Sequence, residues 1–217
     1  MNICVMVEGS SGEKMVYEEW IPLVNSNLSC TDSIFDIVAN NFCIVSGHGY
    51  PNYLQKINEI IQDVNTHGNI DRLVICVDAE DFSYDEKLEE INKYISGKQC
   101  SAAINIIVQF FCFETWALAN KKIGPRNPKN DILKQYASYF DVLDNDPELM
   151  PAYPLEDLNR AQFAYKYLKH CLIEKGITYI KSKPYHIKHP TYFNEIKKRY
   201  NNHSHIKCFV HFLNAFS

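Results

Sequence analysis

An α/β fold with a mostly parallel sheet flanked by helices is predicted by three observations. Two short apolar runs stop abruptly at acids: Ile3-Cys4-Val5-Met6-Val7 before Glu8-Gly9, and Leu73-Val74-Ile75-Cys76-Val77 before Asp78-Ala79-Glu80-Asp81. Unbroken β-prone runs of this length read as strands buried on both faces. Amphipathic segments of helical period lie between the runs, and a third run, residues 103–108, follows another such segment. Alternation of this kind predicts right-handed crossovers and a parallel sheet.

Taken in order, residues 3–7 are the first strand. The loop from Glu8 to Glu13, with Gly9 and Gly12, leads into a helix over 13–23, stopped near Pro22. Residues 34–38 and 42–45 carry strand-type patterns, and Ser46-Gly47-His48-Gly49 turns the chain. Tyr53, Ile57, Ile60, Ile61 and Val64 recur at helical spacing in a helix ending near Gly68. Residues 73–77 form the next strand. A charged helix over 84–95 keeps Leu88, Ile91 and Ile95 on one face. After the run at 103–108, the Phe110-to-Phe113 stripe with Trp116 reads as core. Beyond about residue 120 the prolines multiply (125, 128, 147, 151, 154) and the pattern turns helical. Helices are predicted over 157–175, 192–200 and 206–216, with a last strand over 177–180. This divides the chain into a core, 1–120, and a helical extension, 121–217, packed on it.

Hydrophobic residues at 46% and charged residues at 22% belong to a folded globular chain, and a net charge of −4 gives no global nucleic-acid signal. Charge is segregated, however. Residues 71–90 hold eight acids, whereas Lys181, Lys183, Lys188, Lys197, Lys198, Arg199 and Lys207 face the single acid Glu195. A basic tail beside an acidic centre fits a polyanion handled through metal ions. On this reading Lys188, Lys197, Lys198 and Arg199 contact nucleic acid. The eight cysteines form no CxxC pair, which argues against a zinc ribbon. The N-terminus lacks a basic region before its short apolar run, and no run approaches membrane-spanning length, so a reduced, cytoplasmic protein is expected.

Ligands of open α/β sheets bind beyond the carboxyl ends of the strands. If the strands ending at Glu8 and Asp78 are neighbours, their carboxylates face one another. Crowded carboxylates repel unless protonated or sharing a cation, and oxygen-only clusters suit Mg²⁺ or Mn²⁺. The candidate metal set is Glu8, Asp78, Glu80, Asp81 and Glu114. Lys181 or Lys183, at the end of the last predicted strand, would stabilise charge in a transition state. Each residue has a plainer reading. Asp81 suits a solvated helix start, Glu13 a first-turn helix acid, Glu114 a buried hydrogen-bonded acid, and the lysines a solvated surface. The five histidines from His186 to His211 make no helical HxxxH pair.

The order strand–Glu-Gly, helix, strand, helix, strand–Asp-x-acid resembles the Toprim domain of topoisomerases, primases and nucleases of the overcoming-lysogenization-defect type. The family's Glu maps onto Glu8, and its Asp-x-Asp onto Asp78 with Glu80. Residues 7–14, Val-Glu-Gly-Ser-Ser-Gly-Glu-Lys, are similar to the VEG-x-x-E form of small stand-alone Toprim-like proteins of bacterial defence loci. Residues 113–119, Phe-Glu-Thr-Trp-Ala-Leu-Ala, resemble their FE-x-W-x-L-x segment. The likeness covers residues 1–120 well and the remainder weakly, and Glu80 departs from the family's second Asp. It implies a Mg²⁺-dependent nuclease, an antiphage effector with Glu8, Asp78 and Glu80 as catalytic acids. A separately encoded ATPase is the implied partner, since no GxxxxGK[ST] motif is present. A homo-oligomer is compatible with the same reading. Two alternatives stay open: a non-catalytic scaffold that binds an ATPase or nucleic acid, and a phosphatase or phosphotransferase acting on a small phosphate ester.

Overall fold

A computed structural model describes residues 1–9, 11–49 and 51–217; Ser10 of the predicted loop lies outside them. The first half alternates strand and helix: β1 (Ile3–Val7), α1 (Gly12–Val24), β2 (Ser29–Thr31), β3 (Asn41–Ser46), α2 (Asn52–His67), β4 (Arg72–Asp78), α3 (Tyr84–Ile95) and β5 (Ala103–Gln109). The second half is helical: α4 (Phe113–Leu118), α5 (Asp131–Tyr139), α6 (Arg160–Glu174), α7 (Pro190–His203) and α8 (Phe209–Phe216). The five strands are all parallel, in the order β2-β3-β1-β4-β5.

Side-chain alternation along each strand builds two cores. Ile3, Val5, Val7, Val74 and Cys76 point to one face, where α1 and the C-terminal helices cover them. Cys4, Met6, Leu73, Ile75 and Val77 point to the other, under α2 and α3. Apolar residues on both faces are what a parallel sheet between helical layers demands. The helix ends carry their own signals. Gly68 closes α2 at φ +71°, and Ser83 with Glu86 forms a capping box on α3.

The topology fixes where a ligand can bind. From β1 the chain leaves over one face through α1, and from β4 over the other face through α3. Adjacent strands whose connections leave on opposite faces open a crevice beyond their carboxyl ends. Val7 pairs with Cys76, so Glu8 and Asp78 follow within two residues of the last paired positions.

The helical second half is joined to the sheet through one buried cluster. Trp116, Phe193, Phe209, Phe212 and Phe216 pack with Tyr17 and Trp20 of α1 and with Val5 and Val7 of β1. Burying each such side chain contributes roughly 1.5–3 kcal/mol.

Three predicted elements differ. Residues 34–36 form a 3₁₀ turn rather than a strand, because the Ser33 side chain caps it by accepting from the Phe35 N–H. The edge strand pairing with β3 is the polar Ser29–Thr31 instead. Pro22 lies inside the last turn of α1, where it forgoes one helical hydrogen bond, yet the helix runs on to Val24. Residues 177–180 form no strand: Ile177 and Tyr179 pack against the helical cluster, Ile180 is half exposed, and the Tyr179 hydroxyl is drawn to Glu114.

Candidate metal-binding and active site

Asp78 ends β4, and the alternation of Val74 and Cys76 carries it toward the face covered by α1 and α4. Glu8 follows β1, and its Oε2 accepts the Asp78 backbone N–H at 2.9 Å, which ties the two strand ends together. Both line one cavity of about 290 Å³, together with Glu13, Glu114, Tyr179 and Lys181. The cavity is thus built from both halves of the chain.

Each wall has a local cause. Glu13, in the first turn of α1, accepts from the Gly9 N–H at 2.7 Å and from Gln109 Nε2 at 2.6 Å. Gln109 ends β5 opposite Asp78, and its own Oε1 accepts from the Tyr17 hydroxyl at 2.8 Å. Glu114, in the first turn of α4, is 2% exposed. It accepts from the Tyr179 hydroxyl at 3.0 Å and faces Lys181 Nζ at 3.4 Å. The segment bearing Lys181 is held close to α1, since a methyl group on Gly12 would overlap the Lys181 carbonyl oxygen.

The electrostatics are those of carboxylates gathered with too little countercharge. Burial, then Glu13 and Glu8, push the Asp78 carboxyl well above its usual range, with Lys181 opposing. Burial raises Glu8 to about 7 despite the Asp78 N–H, and Glu13 and Glu80 add to the rise while Lys87 opposes it. Glu13 is raised by burial, against its bonds from Gln109 and Gly9. Burial works against the charge of Lys181, but Glu114, Cys112 and Asp78 outweigh it and hold the ammonium protonated.

Of the residues singled out in the sequence, Glu8, Asp78, Glu114 and Lys181 meet at this cavity. Glu80 does not line it. Its backbone turns at φ +54° and its N–H donates to the Phe111 carbonyl, leaving the side chain exposed, near enough to Glu8 only to raise its pKa. Asp81 points elsewhere and accepts from Asn159 Nδ2 at 3.1 Å. Lys183 is exposed and outside the cavity wall. Lys188 pairs with Glu19 at 3.1 Å, and Lys198 lies 4.0 Å from Glu195. Lys197 is half-buried on α7. Arg199 is 2% exposed and donates to the Asn145 carbonyl, so it is not a surface contact for nucleic acid. The chain matches no protein-family model, no curated protein and no solved structure.

Three residues that build the site were not among the ligands or catalytic groups expected from the sequence: Glu13 and Tyr179 line the cavity, and Gln109 holds Glu13 without lining it. Glu13 carried a signal that a first-turn helix acid also gives. Gln109 carried a better one, a polar residue ending an apolar run as Asp78 does. Tyr179 carried none, being hidden in a strand-like pattern.

The residues present fit a hard divalent cation. Asp78 Oδ1 is buried and has no hydrogen-bond partner among the described residues. A buried acceptor without a donor calls for a proton or a cation. Among the described residues no group of three or more His, Cys, Asp and Glu side chains is drawn together as a finished metal cage. Mg²⁺ does not need one, because it keeps several waters and binds through one or two carboxylates.

Proposed function

We propose that this protein is a Toprim-like, metal-dependent nuclease that cleaves phosphodiester bonds in DNA or RNA. The observation that carries the reading is the placement of Glu8 and Asp78. They end adjacent parallel strands at the crevice of the sheet and line one cavity, with Asp78 Oδ1 unpartnered among the described residues. Glu8 and Asp78 would hold the ion. When bound, Mg²⁺ or Mn²⁺ supplies charge that polarises a phosphoryl oxygen and acidifies water.

The chain's own groups would do the rest. Lys181, kept protonated and with 57% of its side chain exposed, is free to swing from Glu114 toward negative charge on a phosphate. Glu114 holds that ammonium at the cavity, and Tyr179 orients Glu114. Without the ion Glu8, raised to about 7, is partly protonated near neutral pH, so binding the cation would release a proton. Glu13 has both oxygens engaged by Gly9 and Gln109 and shapes the field without needing to bind the ion. The role of antiphage effector with a separately encoded ATPase rests on the family resemblance.

The deciding experiment incubates purified protein with plasmid, single-stranded DNA and tRNA in Mg²⁺, Mn²⁺ or EDTA. Cleavage with either metal, absent in EDTA and in Glu8→Gln, supports the proposal. Binding without cleavage in any metal favours the scaffold instead. A phosphatase for small esters is favoured by one observation: about 290 Å³ is small for a polymer and near the lower limit for small-molecule sites. Hydrolysis of a nitrophenyl phosphate, with every polynucleotide left intact, would select that reading.

A further inference from the structure

A second cavity, of about 260 Å³, lies outside the acid site and is lined by Lys121, Lys122, Gly124, Arg126, Leu143 and Asp144. Its local sequence is one-sided: residues 120–130 carry Lys121, Lys122, Arg126 and Lys129 and no acid. Lys122 is committed to Glu195 at 2.9 Å. Lys121 and Arg126 form no ion pair among the described residues. Close to Lys121 lies Arg199, 2% exposed, also without an ion pair and with its Nη1 buried and unpartnered.

The nearby acids Asp141 and Asp146 keep their charge but lie outside the cavity wall. Asp141 Oδ1 accepts from the Leu143 N–H, and Asp146 Oδ1 accepts from the N–H groups of Glu148 and Ile206. Asp144 alone lines the cavity with the cations. The crowding is felt by Lys121, whose pKa is lowered by burial and then by Arg199 and Arg126, against Asp144 and Asp141. Like charges held together around a hollow are relieved by a counter-ion. A planar guanidinium beside an ammonium matches the oxygens of a tetrahedral oxyanion.

We propose that Lys121 and Arg126, with Lys122 at the cavity wall held by Glu195, form a binding site for a phosphate-type oxyanion, either free phosphate or a phosphate of a polynucleotide backbone. The site is independent of the acid cavity and does not require the nuclease reading.

The test is carried out in EDTA, so that no metal bridges the acids to a phosphate. Inorganic phosphate is titrated at constant ionic strength by calorimetry, and a fluorescent single-stranded oligonucleotide by anisotropy. The variants are Lys121→Gln/Arg126→Gln and, as a control in the same segment but off the cavity, Lys129→Gln. Phosphate should saturate the wild-type protein, and the double variant should weaken it by about tenfold or more, with Lys129→Gln within about twofold. If the oligonucleotide weakens in parallel and its salt slope falls by about one per lost contact, the source is a backbone phosphate. If only phosphate binding falls, the source is the free anion. Both substituted side chains reach solvent, so the fold should survive, and unchanged thermal unfolding verifies it. Absence of saturable binding to either probe, or equal binding by a folded double variant, overturns the proposal.

Discussion

Two carboxyls in this molecule, Glu8 and Glu148, are lifted by burial to the same value, about 7, and they mean different things. Glu148 lies against the C-terminal helices and accepts from the thiol and the backbone N–H of Cys208. Cys208 in turn receives the Trp116 indole N–H at 2.9 Å. Nothing about Glu148 asks for a ligand. Glu8 opens on a cavity beside three other acids, and its neighbour Asp78 has an oxygen with no donor. A raised pKa therefore marks only burial. The unfinished hydrogen bonding, at a sheet crevice, marks the site.

The largest expected effects come from exchanging the acids. Glu8→Gln and Asp78→Asn should each lower metal-dependent cleavage by roughly a thousandfold or more, because each removes an ion-binding oxygen while keeping shape. Glu148→Gln should stay within about threefold, since its acid touches no reacting group. Turnover on a fluorescent oligonucleotide measures all three. Equal losses at Glu148 and Glu8 would dissolve the comparison.

Next in size is the response of stability to pH and metal. Both carboxyls shift from an ordinary 4.5 to about 7, so between these values the native state binds more protons than the unfolded chain. Stability is then greatest below about pH 4.5 and is lost as pH rises toward and through 7, by roughly 1–3 kcal/mol for each group. Thermal unfolding in EDTA should fall between pH 5.5 and 8. Mn²⁺ should restore the share due to Glu8 and Asp78, leaving the share due to Glu148. In Glu148→Gln with Mn²⁺ the residual slope should shrink to the share left by Glu13, whereas Asp78→Asn should not respond to Mn²⁺ at all. A wild-type curve insensitive to both pH and metal would contradict the crowded-acid account.

Gly12→Ala probes how the second half of the chain completes the cavity. The added methyl meets the Lys181 carbonyl, so the segment carrying Lys181 must move off α1. Overpacking of this kind costs about 1–3 kcal/mol, partly offset by the helix preference of Ala over Gly. Activity should drop about ten- to a hundredfold with metal binding retained, because Glu8 and Asp78 stay in place.

The legibility of the site followed the physics of each signal. Strand β1 and residues 73–77 of β4 were readable because burial on both faces removes every polar residue until the chain leaves the sheet, so Glu8 and Asp78 stood out at the ends, and the edge strand β5 was readable from its isoleucine and valine run. Helices α2 and α3 were readable from one-sided burial and their caps. Residues 177–180 were misread because packing of Tyr179 beside Glu114 leaves the same apolar pattern as a strand. Glu80 and Asp81 looked like ligands because spacing along a chain says nothing of a left-handed turn. At Glu80 that turn sends the following side chains out of the cavity. Arg199 looked like a surface cation because α7 presents basic residues on more than one face, and only the tertiary fold shows which one is buried.

The smallest and most selective effect separates Lys181 from Lys183, two residues apart in a segment that the sequence leaves equivalent. Lys181 lines the cavity 3.4 Å from Glu114, whereas Lys183 faces solvent. Lys181 is 57% exposed and the buried Glu114 keeps its hydrogen bond from the Tyr179 hydroxyl, so loss of the ammonium should change stability by about 1 kcal/mol. Its electrostatic reach is greater, because Asp78 and Glu114 both act on it. Lys181→Ala should therefore slow cleavage by about ten- to a hundredfold with little change in thermal unfolding, and Lys181→Arg should recover part of the rate. Lys183→Ala should stay within about twofold in both measurements. If Lys181→Ala cleaves normally, the ammonium only neutralises Glu114, and charge on the phosphate must be met by the ion held at Glu8 and Asp78.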